Sequence, residues 1–183
     1  MTDASTRTGH CLCGAVKFTA RGEPRFISNC HCESCRRSTG APFAAFVGYP
    51  HAAVAFPTGT PAVFESSPGV RRSFCARCGT PIAYAADRFP GEIHLYSCTM
   101  DEPERFQATG HVHVSEQLPW LHLADGLPRY PTTSRDSAPV RRPRPRVPRR
   151  LSWITGGSHL RGRRGRDDAE DGAGMRPHFR PCR

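Results

Sequence analysis

Residues 75–79 read Cys75-Ala76-Arg77-Cys78-Gly79, and this stretch decides which fold the chain is expected to adopt. A Cys-x-x-Cys-Gly sequence is typical of a zinc knuckle, a tight turn in which the glycine takes a positive φ and backbone amides point at a thiolate. Cys11-Leu12-Cys13-Gly14 is a second cysteine pair that ends in glycine. Because a closed structural zinc site needs four ligands, the two pairs together predict such a site.

A third cysteine group, Cys30-His31-Cys32-Glu33-Ser34-Cys35, is then left over. Three thiolates on one loop do not complete a four-coordinate site, so a metal held there keeps one position open, as catalytic zinc does. One alternative is a purely structural second metal with His31 as its fourth ligand, although a histidine between two ligands would strain to reach the same ion. Disulfides are another alternative.

The compartment bears on the choice between metal and disulfide. The segment from Met1 to His10 is polar and lacks the apolar core of a secretion signal. We therefore expect a cytoplasmic protein, and in a reducing compartment close-set thiols favour metal binding. The longest uncharged stretch, residues 38–64, is broken by prolines and glycines, so no membrane span is predicted.

The distribution of charge divides the chain into two regions. Residues 1–134 carry 12 basic and 11 acidic side chains, whereas residues 135–183 carry 14 and 5. The first region is long enough for one domain. The second is rich in arginine and proline and poor in apolar residues, which predicts a disordered basic tail over residues 135–183. Such a tail could bind nucleic acid or another polyanion, or it could be a solvated extension without a partner.

Short strand-like runs dominate the first region, and most are bounded by glycine or proline. No window of a dozen residues shows a helical apolar period. These features predict a mainly β, antiparallel domain with long loops. The predicted strands are residues 15–19, 43–47, 54–56, 62–65, 71–74, 82–84, 92–96 and 111–114.

The cysteine groups and the sequences that flank them resemble the glutathione-dependent formaldehyde-activating enzyme (GFA) family, also called the CENP-V/GFA domain. The resemblance covers about residues 6–131, where it places the domain. It is specific, because all seven clustered thiols fall in the family's order and spacing. The matching segments are Gly9-His10-Cys11-Leu12-Cys13-Gly14-Ala15-Val16, Cys30-His31-Cys32-Glu33-Ser34-Cys35-Arg36-Arg37, residues 69–80, His111-Val112-His113-Val114-Ser115 and Pro119-Trp120.

This resemblance implies a Mss4-like fold, the β-tent, with two zinc ions per chain. It implies a structural zinc on Cys11, Cys13, Cys75 and Cys78, and a catalytic zinc on Cys30, Cys32 and Cys35. The implied activity is that of a carbon–sulfur lyase that condenses glutathione with formaldehyde to S-(hydroxymethyl)glutathione. A lyase of the same kind acting on a different thiol adduct is a related alternative. A non-enzymatic zinc module whose tail binds a polyanion is the competing class, but the near-neutral charge of the domain favours the enzyme.

Several other residues are weighed for a role. Arg36 and Arg37, beside the third thiol, are candidates to bind the carboxylates of glutathione, with solvated surface arginines as the alternative. Arg71 and Arg72 are candidates for the same carboxylates, but for them the solvated alternative is favoured. The two residues are adjacent in a predicted strand, so their side chains point to opposite faces of the sheet. The histidines receive no catalytic role: His111 and His113 alternate along a predicted strand and are expected on its solvated face, and His94 is only a candidate. Cys98 is expected to be a buried small apolar residue.

Overall fold

The computed structural model describes residues 6–140. Within that range the chain forms ten strands and one α-helix. The strands are β1 Thr6–His10, β2 Lys17–Arg21, β3 Phe26–Cys30, β4 Ala44–Pro50, β5 Val54–Thr58, β6 Ala62–Ser67, β7 Val70–Phe74, β8 Pro81–Ala86, β9 Glu92–Tyr96 and β10 His111–Val112. The helix α1 is Glu33–Thr39, and four short 3-10 turns are His51–Ala53, Ser97–Thr99, Pro103–Arg105 and Val114–Glu116.

The strands form two sheets. A three-stranded sheet has the order β1-β2-β5, and a seven-stranded sheet has the order β10-β3-β4-β9-β8-β7-β6. Neighbouring strands are antiparallel except β10, which runs parallel to β3. The predicted mainly β class is therefore confirmed, while the finer Mss4-like assignment stays a prediction. No helix within residues 6–140 is long and apolar enough to cross a membrane.

Strand alternation gives the large sheet two different faces. Val47 and Leu95, on neighbouring strands, pack with Phe18 of the small sheet in the main core. Their neighbours in sequence, Phe46 and Tyr96, point to the opposite face and form a second core with two cysteines of the third group. The large sheet thus separates two apolar clusters, and each contains cysteines.

The helix was not predicted, because seven residues are too few to show an apolar period. Its ends are nevertheless encoded in the sequence. The Cys32 side chain accepts a hydrogen bond from the Cys35 backbone N–H and caps the first turn, while Gly40 ends the helix in a left-handed conformation. Glu33 in the first turn and the two arginines in the last turn complement the helix dipole. This short helix carries the third thiol, Cys35, into the second core.

The chain remains attached to the domain beyond the predicted boundary at residue 131. The Arg135 guanidinium lies 2.7 Å from the Glu92 carboxylate, and the Val140 N–H donates to the Arg129 carbonyl at 2.7 Å. Residues 135–140 therefore differ from the disordered tail expected there, because a buried carboxylate 43 positions earlier supplies the partner for Arg135. The remainder of the predicted tail, residues 141–183, and with it the expected polyanion binding, lies outside the described residues.

Candidate metal centre

The seven clustered cysteines come together as two groups. The four-thiol cluster consists of Cys11, Cys13, Cys75 and Cys78, and the three-thiol cluster consists of Cys30, Cys32 and Cys35. Within each group all sulfurs lie within 4.8 Å of one another, so each group could hold a metal ion. All seven thiols are free, and disulfides are absent between them. The grouping is the one that the spacing of the cysteines predicts.

The sulfur separations allow a direct test of whether a metal would fit. The Sγ–Sγ distances are 3.6 Å for Cys11–Cys13, 3.8 Å for Cys13–Cys75 and 3.5 Å for Cys30–Cys32. A disulfide would need about 2.05 Å, whereas a tetrahedral ion with bonds of about 2.3 Å to sulfur places its ligands about 3.8 Å apart. The separations therefore suit a thiolate-coordinated ion and exclude disulfides.

Two glycine turns build the four-thiol cluster. Gly79 has a φ of 75°, as the sequence predicts, and its N–H donates to the Cys75 carbonyl at 2.8 Å. Gly14 has a φ of 72°, and its N–H donates to the Cys11 carbonyl at 2.9 Å. The Val16 N–H also points at the Cys11 sulfur, 3.2 Å away, which stabilises negative charge on that sulfur. Cys11, which follows β1 of the small sheet, and Cys75, which follows β7 of the large sheet, are both buried in the main core. This cluster therefore connects the two sheets.

The three-thiol cluster lies on the other face of the large sheet. Cys30 ends β3, Cys32 caps α1 and Cys35 lies one turn into the helix. Hydrogen bonds from the thiols of Cys30 and Cys35 lower the pKa of Cys32 to about 2, so Cys32 carries the negative charge of the group most readily. The same hydrogen bond to Cys32 raises the pKa of Cys30.

A cavity of about 300 Å³ opens beside the three-thiol cluster, and all three of its thiols line it. None of the four other clustered cysteines does. The walls are largely aromatic, because alternate residues of the large sheet face the cavity: Phe26 of β3, Phe46 of β4, Tyr84 of β8 and His94 of β9. We call this space the thiol cavity.

The arginines of the thiol cavity are not the expected pair. Neither Arg36 nor Arg37 lines it: the Arg36 Nε donates to the His31 carbonyl at 3.0 Å, and exposed Arg37 pairs with Glu33 at 2.7 Å. The arginines that do line it are Arg72, Arg88 and Arg135. Sequence analysis weighed Arg72 but favoured a solvated position for it, and it missed Arg88 and Arg135, because their approach depends on the pairing of distant strands and on a segment assigned to the tail.

Strand alternation separates Arg71 from Arg72. Arg71 is exposed and pairs with Asp87 at 2.8 Å. Arg72 is 8% exposed, so the expectation that it is solvated is wrong. The reason is that it faces the polar side of α1, where serine hydroxyls accept its N–H groups.

Two further expectations are also wrong. His111 is completely buried, because β10 lies against β3 and ends at Val112, and His113 takes a left-handed φ of 56° that breaks the alternation. Cys98 is exposed, because a 3-10 turn follows β9 at Ser97–Thr99.

His31, weighed as a fourth ligand, does not join the thiols through its Nε2. That atom lies 2.9 Å from the His111 Nδ1.

Comparison with known proteins completes this picture. A sequence model of the glutathione-dependent formaldehyde-activating enzymes (GFA) matches residues 6–116. The chain belongs to this GFA family. An uncharacterized lyase of Schizosaccharomyces pombe is 36% identical over 77 residues, which make up 42% of this chain and 56% of that relative. The match thus spans little more than half of the relative's length.

A solved crystal structure, that of a Rhodobacter sphaeroides protein, is also similar. It is 20% identical, with 51% of this chain and 87% of that chain covered and a TM-score of 0.43. The GFA match includes both cysteine clusters but ends before the last wall of the thiol cavity, which residues 130–135 supply.

Proposed function

We propose that this GFA-family protein is a zinc-dependent carbon–sulfur lyase that adds a thiol, glutathione, to formaldehyde or a related small aldehyde. We also propose a Mss4-like fold, a structural zinc on the four-thiol cluster and a catalytic zinc on the three-thiol cluster. The observation that carries the proposal is the difference between the clusters. Four thiols would close a tetrahedral ion, whereas three thiols that line a cavity would leave one position facing it.

Zinc on the three-thiol cluster would supply an open position at which a thiol of ordinary pKa is deprotonated and held. In the reaction, the thiolate sulfur of glutathione attacks the carbonyl carbon of the aldehyde and a carbon–sulfur bond forms. The carbonyl π electrons move to the oxygen, which takes up the proton that the thiol released. The reaction is reversible, and the reverse direction is the lyase reaction.

The walls of the thiol cavity suit this addition. The rings of Phe26 and Phe46 flank His94, with ring centroids 4.7 and 6.0 Å away, and this apolar surface excludes water that would compete for the aldehyde. Restricting a small aldehyde beside a held thiolate supplies the proximity that the reaction needs.

The rim of the cavity offers cations for the two carboxylates of glutathione. The guanidinium carbons of Arg88 and Arg135 lie 4.8 and 5.3 Å from the centroid of the Phe89 ring, and both side chains are about half exposed. Arginine binds carboxylates in a bidentate manner, so these two residues are better placed than Arg36 and Arg37 for that contact.

The test measures zinc content and glutathione binding on the full chain. Wild type is compared with Cys32→Ser, which removes one thiol of the three-thiol cluster, and with Cys98→Ser, which removes an exposed thiol outside both clusters. We expect two zinc ions per chain in wild type and in Cys98→Ser, and one in Cys32→Ser, with calorimetric glutathione binding lost in Cys32→Ser alone.

Activity is then followed by the rate of exchange between free and glutathione-bound formaldehyde in NMR spectra. Acceleration by wild type and by Cys98→Ser, but not by Cys32→Ser, is the expected result. One zinc ion in all three proteins, without glutathione binding, would overturn the proposed function. Glutathione binding without acceleration for any small aldehyde would restrict the protein to a different thiol adduct.

A further inference from the structure

Arg72 is a buried cation held by three serine hydroxyls. Its Nε donates to the Ser66 Oγ at 3.1 Å, its Nη1 to the Ser38 Oγ at 3.0 Å and its Nη2 to the Ser34 Oγ at 2.7 Å. The guanidinium carbon also lies 5.2 Å from the centroid of the Tyr84 ring. All of these partners are neutral, and no ion pair joins Arg72 to a carboxylate within residues 6–140. A buried cation in a folded protein normally has an anionic partner.

The three-thiol cluster lies beside the guanidinium and is the candidate for that anion. The Arg72 Nη1 lies 3.9 Å from the Cys35 Sγ, within reach of a charge-assisted N–H···S contact. Three thiolates around a divalent ion leave one excess negative charge, and Arg72 brings one positive charge.

We propose that Arg72 is the counter-ion of the three-thiol site and that it strengthens metal binding there by offsetting the excess negative charge. The inference rests on the proposed metal site at Cys30, Cys32 and Cys35. The serines surround the guanidinium: Ser34 and Ser38 are four residues apart on α1 and share one face, and Ser66 is the second-to-last residue of β6. They fix the guanidinium beside Cys35 without contributing charge of their own.

A purely structural role, in which Arg72 only pins α1 to the sheet, makes a different prediction. Arg72→Lys keeps the positive charge but loses the planar fork that reaches three serines, whereas Arg72→Gln loses the charge and keeps a hydrogen-bonding side chain. Arg71→Gln is the matched control, because Arg71 is the neighbouring residue and points to the exposed side.

The experiment measures zinc affinity by competition with a chelator, on the full chain and its variants. We expect Arg72→Gln to weaken zinc binding at the three-thiol site by about 10–100-fold, the usual cost of removing a partner of a metal ligand. Arg72→Lys should weaken it much less, and Arg71→Gln should match wild type. Zinc on the four-thiol cluster of the same molecules is the internal reference and should be retained throughout.

Cobalt substitution gives a second readout, because the sulfur-to-cobalt charge-transfer bands should shift in Arg72→Gln and not in Arg71→Gln. Equal losses in Arg72→Lys and Arg72→Gln, accompanied by equal falls in the unfolding midpoint, would overturn the counter-ion role in favour of a structural pin. Unchanged affinity in Arg72→Gln, with two zinc ions in wild type, would overturn the counter-ion role alone. A single zinc ion in wild type would overturn both this inference and the proposed function.

If Arg72→Gln does not fold, the double variant Ser34→Ala Ser38→Ala decides the question. It removes two hydrogen bonds from the guanidinium and leaves the positive charge. Because the guanidinium is then no longer fixed beside Cys35, a loss of zinc affinity at the three-thiol site that exceeds any loss at the four-thiol cluster supports the counter-ion. Unchanged zinc affinity with a lower unfolding midpoint supports the structural role and overturns the counter-ion.

Discussion

The Nε2 of His31 lies 2.9 Å from the Nδ1 of His111, and both imidazoles are completely buried. The Nε2 of His111 lies 2.7 Å from a carboxylate oxygen of Asp125. Because the carboxylate only accepts, the His111 Nε2–H donates to it, and one hydrogen is shared between the His111 Nδ1 and the His31 Nε2. Burial lowers the pKa of His31 to about 4, so this residue is neutral at pH 7. This chain of hydrogen bonds holds His31 in place, and with it the backbone between Cys30 and Cys32.

His111→Ala tests this support. The substitution leaves the buried His31 Nε2 without its hydrogen-bond partner, which should lower the free energy of unfolding by about 1–3 kcal/mol. His51→Ala, at an exposed histidine, should change it little. Urea unfolding of the two variants and wild type measures the difference. Similar unfolding midpoints for the two variants would show that the buried hydrogen bonds contribute no net stability.

His94 should make stability depend on pH. Burial lowers its pKa despite the neighbouring Glu92, so the folded state holds His94 neutral where the unfolded chain, with a pKa near 6.5, binds a proton. The free energy of unfolding should therefore fall as pH decreases below about 6.5, by at most about 1.4 kcal/mol per pH unit for one proton. His94→Gln should show a smaller slope between pH 7 and pH 5.

Both proteins keep the two cysteine clusters, so the difference between their slopes isolates the histidine from proton-driven metal release. Urea unfolding at a series of pH values is the measurement. Parallel curves for wild type and His94→Gln would rule out this contribution.

Gly79 and Gly91 form a matched pair for testing the knuckle. They have φ values of 75° and 72°, and a Cβ at either position would meet open space. Alanine at each should therefore cost only the strain of the left-handed conformation, about 1–2 kcal/mol of unfolding free energy. Gly79→Ala should in addition speed the release of zinc from the four-thiol cluster to a chelator, because its backbone shapes the turn around Cys75 and Cys78. Identical release rates in the two variants would contradict a special role for the knuckle glycine.

Arg135 should stabilise the domain although it was assigned to the tail. The Glu92 side chain is 7% exposed, and Arg135 and Arg25 neutralise it at 2.7 and 3.2 Å. Arg135→Ala should lower the free energy of unfolding by about 1 kcal/mol, whereas Arg37→Ala, which breaks an exposed pair four residues apart on α1, should lower it by about 0.3–0.5 kcal/mol or less. Thermal and urea unfolding provide the comparison. No effect in Arg135→Ala would mean that the ion pair between Arg135 and Glu92 adds nothing to stability.

The sequence predicted the features that depend on short spacings. The grouping of the seven thiols, the positive φ of Gly79 and most strands of the large sheet follow from glycine turns and period-two patterns within a few residues. Strands β1 and β3 were missed, because their polar residues do not alternate with apolar ones.

The missed features depend on contacts between distant parts of the chain. Arg72 becomes buried only when β7 pairs with β6 and α1 packs against it, and His111 only when the last strand lies parallel to β3. Local composition assigns both residues to solvent, because arginine and histidine are usually exposed or half-exposed. Arg72, which lines the thiol cavity, and His111, which lies outside its lining, are therefore both residues whose burial a local pattern does not predict.

The thiol cavity receives its last wall from residues 130–135, which follow the segment that matches the family. Replacement of this wall alters the shape and charge of the entrance and leaves every clustered cysteine in place. For the proposed lyase, the entrance and the thiol site are therefore separable: changes in residues 130–135 would alter which molecules reach the thiols and leave the thiols themselves unchanged.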